Sequence, residues 1–138
     1  MQTLSIRTGA KNQFLEITDQ VRKVAADAGV RDGLVTVYVP HTTAGVTINE
    51  NADPDVEHDM LGDLARLVPE QEGYYRHFEG NSASHLKASL MGASAVIPLE
   101  EGRMILGRWQ GIYLCEFDGP RTRRVMIHII SQESPVSS

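Results

Sequence analysis

The last third of the sequence constrains the fold most strongly, because it contains several short β-type runs in succession with no helical pattern between them. Apolar and β-branched residues dominate the runs at 95–98, 104–106, 112–117 and 124–130. Glycines and the Gly119-Pro120 pair mark the turns between these runs. Earlier runs at 4–6, 14–17, 34–39 and 44–50 bring the total to seven or eight predicted strands.

Helical patterns occur only in the first two thirds of the chain. One follows Thr18, which we expect to cap it, and another begins at Asp53-Pro54, an N-cap followed by proline. A third covers about 82–91. Because the helices do not alternate one per strand, the sequence predicts an α+β fold with a mostly antiparallel sheet and about three helices. A length of 138 residues indicates a single domain over 1–138.

Composition excludes several classes of protein. The formal net charge of −5 argues against a nucleic-acid binder, and we interpret Arg121, Arg123 and Arg124 as a solvated hairpin end. The single cysteine, Cys115, cannot form an internal disulfide, which is typical of a reducing compartment. No leader-like segment or long apolar run is evident, so we expect a cytoplasmic protein that binds neither membrane nor nucleic acid.

The first candidate site is His41-Thr42-Thr43, directly after a strand that we expect to be buried. A strand end is rigid yet accessible, and threonine hydroxyls can bind a phosphate or a carboxylate. The alternative is a capped turn in which the backbone satisfies the imidazole.

The second candidate is the acidic segment from Glu50 to Asp55. Glu50 has the same strand parity as Val46 and Ile48, and a carboxylate on an apolar face needs a partner or a metal. Glu50, Asp53 and Asp55 could hold Mg²⁺ through oxygen ligands. The alternative for Asp53 and Asp55 is capping of the helix and pairing with its dipole.

Two further candidates lie in the second half of the chain. His85 and Ser89 share one face of the third helix, beside an apolar stripe of Leu86 and Leu90. A neutral imidazole there suits metal ligation or general-base catalysis, and a surface histidine is the alternative.

Trp109-Gln110, between two glycines, could stack on a flat heterocycle and bond to its edge. The alternative is a turn with a core aromatic. Glu116 lies on the opposite strand face from Cys115, so it is either solvated or part of a site.

Four segments together resemble the YjbQ family in order and spacing: 41–45, 48–56, 85–90 and 107–113. Arg108 departs from the pattern, because the family usually has a small residue there, often threonine. The resemblance implies a β-sandwich-like core, a homotrimer and a polar site near subunit boundaries. It also implies a secondary thiamine-phosphate synthase activity, which joins a hydroxymethylpyrimidine pyrophosphate to a thiazole phosphate and releases pyrophosphate.

Roles follow for the candidate residues under this hypothesis. We expect His41, Glu50 and His85 to be catalytic. The substrate-binding candidates are Thr42, Thr43, Asn51, Lys87, Ser89, Trp109 and Gln110. The candidate ligands of a divalent metal, Mg²⁺ or Zn²⁺, are His41, His85, Asp53, Asp55 and Glu116.

Two other functions stay open. One is a metal-dependent hydrolase in which His41 and His85 bind the metal while Glu50 or Glu116 assists water. The other is a non-catalytic module that binds a phosphorylated small molecule.

Overall fold

The computed structural model describes residues 1–132 of the chain, which form eight strands and three helices. The elements in chain order are β1 (Gln2–Arg7), β2 (Gln13–Glu16), α1 (Thr18–Ala28), β3 (Gly33–Tyr38), β4 (Ala44–Glu50), α2 (Pro54–Leu67), α3 (Ser82–Met91), β5 (Ser94–Glu100), β6 (Arg103–Met104), β7 (Gln110–Glu116) and β8 (Thr122–Ser131).

The strands form two sheets that face each other. One has five strands in the order β1-β8-β3-β5-β6, the other three in the order β2-β7-β4, and all neighbours run antiparallel. Val37 and Ile127 of the larger sheet and Val46 and Leu114 of the smaller sheet belong to one buried core between them. The predicted α+β fold, with an antiparallel sandwich-like core and three helices, is confirmed.

The outer face of the three-stranded sheet is also covered. Phe14, Tyr113 and Cys115 form a second buried cluster with Leu64 of α2 and Ala88 of α3. Strand β7 is therefore buried on both faces, and a carboxylate on either side of it has no access to bulk water. This arrangement excludes the solvated alternative for Glu116.

The outer face of the five-stranded sheet has no such cover within residues 1–132. Its exposed apolar side chains are Leu34, Tyr38, Val96 and Ile130, each between 42% and 52% exposed. Leu34 pairs directly with Ile130 in the β3–β8 register. We call these four residues the open face.

The helix termini follow the sequence signals in part. Asp53 Oδ1 accepts the Asp55 amide at 2.9 Å, with Pro54 in the first turn, so the predicted cap of α2 is confirmed. Thr18 does not cap α1, because its hydroxyl accepts the Ile112 amide of β7 at 2.8 Å. No helix between residues 1 and 132 is long and apolar enough to span a membrane.

Helix α3 presents a different face to the protein than its apolar residues suggest. Leu86 and Leu90 are 47% and 57% exposed, whereas Ala83, Ser84 and Ala88 are buried. The reason is the close approach of α3 to β4, where a Cβ at Gly45 would lie 2.6 Å from the Gly92 carbonyl oxygen. Small residues fit that gap and leucines do not.

Candidate functional site

A cavity of about 450 Å³ lies where the segment before β4 meets α3. The close packing at Gly45 brings that strand end against the helix. The lining residues are His41, Thr42, Ala44, His85, Ala88, Ser89, Gly92 and Ala93. The structure thus brings together His41, Thr42, His85 and Ser89, all singled out from the sequence.

The ring of His41 is fixed by the backbone of β8. Its Nε2 accepts a hydrogen bond from the Arg124 amide at 2.9 Å. Strand β3 pairs with β8 as far as Tyr38 opposite Met126, so the Arg124 amide lies just beyond the last paired residue. The imidazole supplies the acceptor that this amide needs.

The surroundings of His41 favour a neutral ring. Partial burial lowers the pKa of His41 below 6.5, and the charges of Arg123, Arg124 and Arg121 lower it further against a weaker opposing effect of Glu116. At neutral pH this imidazole therefore carries one proton.

Thr43 points away from the cavity into a buried ion-pair network. Arg123 Nη2 donates to the Thr43 hydroxyl at 2.8 Å and to its carbonyl oxygen at 3.2 Å. Thr42 is exposed and lines the cavity, whereas Thr43 is only 5% exposed. The two hydroxyls therefore have different surroundings, and Thr42 is the one placed to contact a ligand.

Arg123 and Glu116 form the centre of that network. Arg123 donates to both oxygens of Glu116, through Nε at 2.8 Å to Oε1 and through Nη2 to Oε2. The Thr8 hydroxyl and the amides of Phe117 and Asp118 donate to the same carboxylate at 2.8–3.0 Å. These contacts occupy the carboxylate and favour a structural role over the metal-binding role suggested for Glu116.

The ionisation of Glu116 agrees with this geometry. Burial would raise the pKa of Glu116, but the hydrogen bonds from Arg123, the Asp118 amide and Thr8 outweigh burial and lower it below 4.5. The interpretation of Arg123 as part of a solvated hairpin end was wrong, since Arg123 is 2% exposed. Its parity with Val125 and Ile127 was the signal that could have placed it inside.

His85 is in contact with a histidine that the sequence did not single out. The His77 and His85 ring centroids lie 5.3 Å apart at 81°. His77 comes from the loop between α2 and α3, where no periodic pattern ties a residue to a helix face. Only the folded chain shows this pair of imidazoles beside the cavity.

The remaining candidates lie at the opposite end of the small sheet. The β4–β7 register pairs Ala44 with Glu116 at one end and Glu50 with Gln110 at the other, so these ends are about 20 Å apart at the usual rise per residue. Asn51 Nδ2 donates to Glu16 Oε2 at 2.9 Å. One chain therefore does not gather His41, His85 and Glu50 around a single point.

Trp109 is also at this far end, and it is not a core aromatic. The indole is 53% exposed, and the Arg108 guanidinium lies 4.7 Å from its ring centroid. Gln110 Oε1 accepts the Gly107 amide at 2.7 Å, which closes the turn. The departure at Arg108 thus places a cation against the tryptophan that we expect to stack on a heterocycle.

Lys87 is internal. It is 2% exposed, and its Nζ lies 3.1 Å from Glu70 Oε1 and 3.2 Å from Asn12 Oδ1. Burial would raise the pKa of Glu70, but hydrogen bonds from Lys87, Lys11 and Asn12 lower it. The ammonium is therefore engaged within the chain, and Lys87 is not among the described residues that line the cavity.

A metal centre within one chain finds little support. No three His, Cys, Asp or Glu side chains within 1–132 converge so as to hold a metal ion. Asp53 is engaged in capping α2, and His41 Nε2 accepts the Arg124 amide. Metal binding by these residues stays a prediction.

Comparison with known proteins supports the resemblance seen in the sequence. Residues 2–132 match the family described as UPF0047 protein YjbQ-like. UPF0047 protein YugU of Bacillus subtilis is 48% identical over 130 residues, covering 94% of this chain and 98% of that protein. UPF0047 protein YjbQ of Escherichia coli O157:H7 is 39% identical over 118 residues, covering 83% of this chain and 85% of that protein.

Solved structures share the fold. The crystal structure of an uncharacterised YjbQ/UPF0047 family protein from Clostridium acetobutylicum has a TM-score of 0.92 at 52% identity. The match covers 94% of this chain and 100% of that chain. A protein of unknown function from Sulfolobus solfataricus has a TM-score of 0.91 at 29% identity, covering 95% of this chain and 96% of that one. The chain therefore belongs to the UPF0047 (YjbQ-like) family.

Proposed function

We propose that this protein binds a phosphorylated small molecule in the cavity between the His41 segment and α3, and that it catalyses thiamine-phosphate formation there. The observation that carries the proposal is the chemistry of the lining. His41 and His85 supply imidazoles, Thr42 and Ser89 supply hydroxyls, and none of the described lining residues is acidic. Such a lining suits a phosphate far better than a cation.

The reaction requires stabilisation of a leaving group. The thiazole nitrogen attacks the methylene carbon of the pyrimidine, a C–N bond forms, and the C–O bond to the pyrophosphate breaks with its electron pair on oxygen. Negative charge develops on that oxygen, so donors placed to meet it lower the barrier. The lining of the cavity offers such donors, and the Arg124 and Arg121 charges lie near His41.

The size of the cavity limits what one chain can do. About 450 Å³ accommodates one phosphorylated heterocycle rather than two substrates at once. Trp109 and Gln110, our candidates for the pyrimidine, lie at the far end of the small sheet. We therefore propose a homotrimer in which this end of one subunit faces the cavity of the next, so that the two substrates meet across a boundary.

A direct assay tests the proposal. Thiamine phosphate is measured from the two precursors, with and without Mg²⁺, for the wild type, His41→Ala and Ser89→Ala. His58→Ala is the matched control, because that histidine is 85% exposed on α2. We expect turnover in the wild type and the control, and a loss of at least about tenfold in the two cavity variants. No turnover in the wild type overturns the synthase proposal.

The two other functions predict different outcomes. The hydrolase needs His41 as a metal ligand, and Nε2 cannot accept the Arg124 amide and bind a metal at the same time. Metal analysis of the purified protein tests this, because tight stoichiometric zinc would favour the hydrolase. Saturable phosphate-ester binding without turnover would favour the binding module.

A further inference from the structure

The hydrogen bond at His41 determines which ring nitrogen carries the proton. Nε2 lies 2.9 Å from the Arg124 amide nitrogen, and an amide can only donate. A proton on Nε2 would point at the amide proton of Arg124, so two hydrogen-bond donors would face each other. The stable neutral form therefore has its proton on Nδ1. The lowered pKa of His41, caused first by burial and then by the neighbouring arginines, agrees with a ring that stays neutral.

The amide that fixes the ring is itself held firmly. Arg124 follows Arg123, whose guanidinium is buried and bonded to Glu116 and to Thr43. Those contacts tie β8 to the segment that contains His41 at two points, the Thr43 hydroxyl and the His41 ring. The tautomer therefore follows from the packing of the strands and not from the rotation of one exposed side chain.

The other ring nitrogen is available. Within the described part of the chain, Nδ1 makes no hydrogen bond, and His41 lines the cavity. Nδ1 is also not among the buried polar atoms that lack a hydrogen-bond partner within residues 1–132. Solvent or a ligand can therefore reach it.

We infer that His41 acts as a neutral hydrogen-bond donor through Nδ1–H, and that its partner is an anionic oxygen of the ligand, of the phosphate or carboxylate class. This assigns His41 a role opposite to that of a general base or a metal ligand, both of which need a free lone pair. The ligand class rests on the proposed function, whereas the tautomer does not.

Nitrogen NMR of the full chain tests the tautomer. Histidine labelled with ¹⁵N shows directly which ring nitrogen is protonated, and the His41→Asn spectrum identifies the signals of His41. We expect a protonated Nδ1 and an unprotonated Nε2 at neutral pH. The exposed His58 on α2 supplies a comparison signal from a histidine outside the cavity. A protonated Nε2 at His41 would overturn the inference.

Inorganic phosphate is the probe for the ligand class. Titration should shift the Nδ1 signal of His41, and calorimetry should show that His41→Asp binds phosphate roughly ten- to a hundredfold more weakly. His41→Asn retains an N–H donor of similar reach, so we expect it to keep most of the affinity. If phosphate leaves the Nδ1 signal unmoved, or if Asn and Asp bind equally, His41 does not donate to an oxyanion. Neither result depends on thiamine-phosphate turnover, so the failure of one proposal does not imply failure of the other.

Discussion

At the scale of single residues, a buried cation can be mistaken for a ligand-binding group. Lys87 lies in a segment that resembles a family motif, and the sequence suggested that it binds phosphate. Its side chain is only 2% exposed, and its ammonium contacts Asn12 and the partly exposed Glu70. A buried charge needs such partners, because desolvation without them is costly.

The Lys87→Met substitution separates the two roles. Methionine keeps the apolar stem and removes the charge, which leaves Asn12 Oδ1 without its donor and leaves Glu70 with Lys11 and the Asn12 amide as its remaining partners. We expect a loss of about 1–3 kcal/mol in the free energy of unfolding, measured in urea, with phosphate affinity unchanged. Lys23→Met is the control, since Lys23 is 78% exposed and pairs with Asp27 on the surface. A stable variant with weaker phosphate binding would contradict this expectation.

Single residues also show what the sequence could and could not predict about the site. Strand parity placed Glu116 away from Cys115, and the same rule applied to Arg123 would have placed it inside with Val125. What parity cannot show is that these two charges face each other, because β7 and β8 belong to different sheets. The proximity of His77 to His85 depends on a loop with no periodic pattern, so no local rule predicts it.

At the scale of elements, the Glu116–Arg123 pair links the two sheets. Glu116 belongs to β7 in the small sheet and Arg123 to β8 in the large sheet, and both are almost completely buried. Removal of one partner leaves an uncompensated charge in the core. We expect Glu116→Gln to lower the free energy of unfolding by about 3–5 kcal/mol. Urea unfolding measures this, with Glu100→Gln at the exposed end of β5 as the control.

The same pair predicts a pH dependence of stability. The pKa of Glu116 is lowered on folding, so its contribution is complete above the ordinary value of 4.5 and is lost as the pH falls through the folded value. Glutamine does not titrate. We therefore expect the gap in unfolding free energy between wild type and Glu116→Gln to be constant above pH 4.5 and to narrow below it. If the difference in unfolding free energy between wild type and Glu116→Gln stayed constant below pH 4.5, the ionisation of Glu116 would contribute nothing to stability.

Local signals predicted the elements well, and close packing explains the exceptions. The third helix was expected at about 82–91 and forms Ser82–Met91, and the cap at Asp53 holds. The face that α3 buries was not predictable from its own residues, because it depends on the close approach of Gly45 from another element. Local patterns thus set where helices and strands form, and contacts between elements set which side chains meet.

At the scale of the whole molecule, the open face is an exposed apolar surface on the five-stranded sheet. Its leucine, tyrosine, valine and isoleucine lie on neighbouring strands β3, β5 and β8, so they form one contiguous patch. Contiguous exposed apolar patches of this kind mark interaction surfaces. We expect this patch to be buried between subunits of the proposed homotrimer.

Light scattering after gel filtration tests the role of the patch. Val96→Glu places a charge on the β5 side of the open face, and we expect the proposed trimer to dissociate into monomers. Ala26→Glu on the exposed side of α1 is the control and should leave the trimer intact. A Val96→Glu protein that remains trimeric would show that the subunits use another surface.

Complementation between inactive variants tests whether the catalytic site crosses a subunit boundary. Ala44, beside His41 in the cavity lining, and Glu50 lie at strand ends about 20 Å apart within one chain. A site that needs both His41 and Glu50 must therefore take them from different subunits. In a closed ring each boundary joins two different surfaces, which allows this arrangement. His41→Ala and Glu50→Gln should each lack activity as pure trimers.

Mixed trimers of the two variants should recover part of the synthase activity. A boundary between a Glu50→Gln chain and a His41→Ala chain restores one complete site, because each chain supplies the residue that the other lacks. With random equal mixing about a quarter of the boundaries are complete, so synthase activity should return to about a quarter of the wild-type value. Each variant refolded alone by the same procedure is the control. If the site lay within one chain, every site in the mixture would lack one of the two groups and no activity would return.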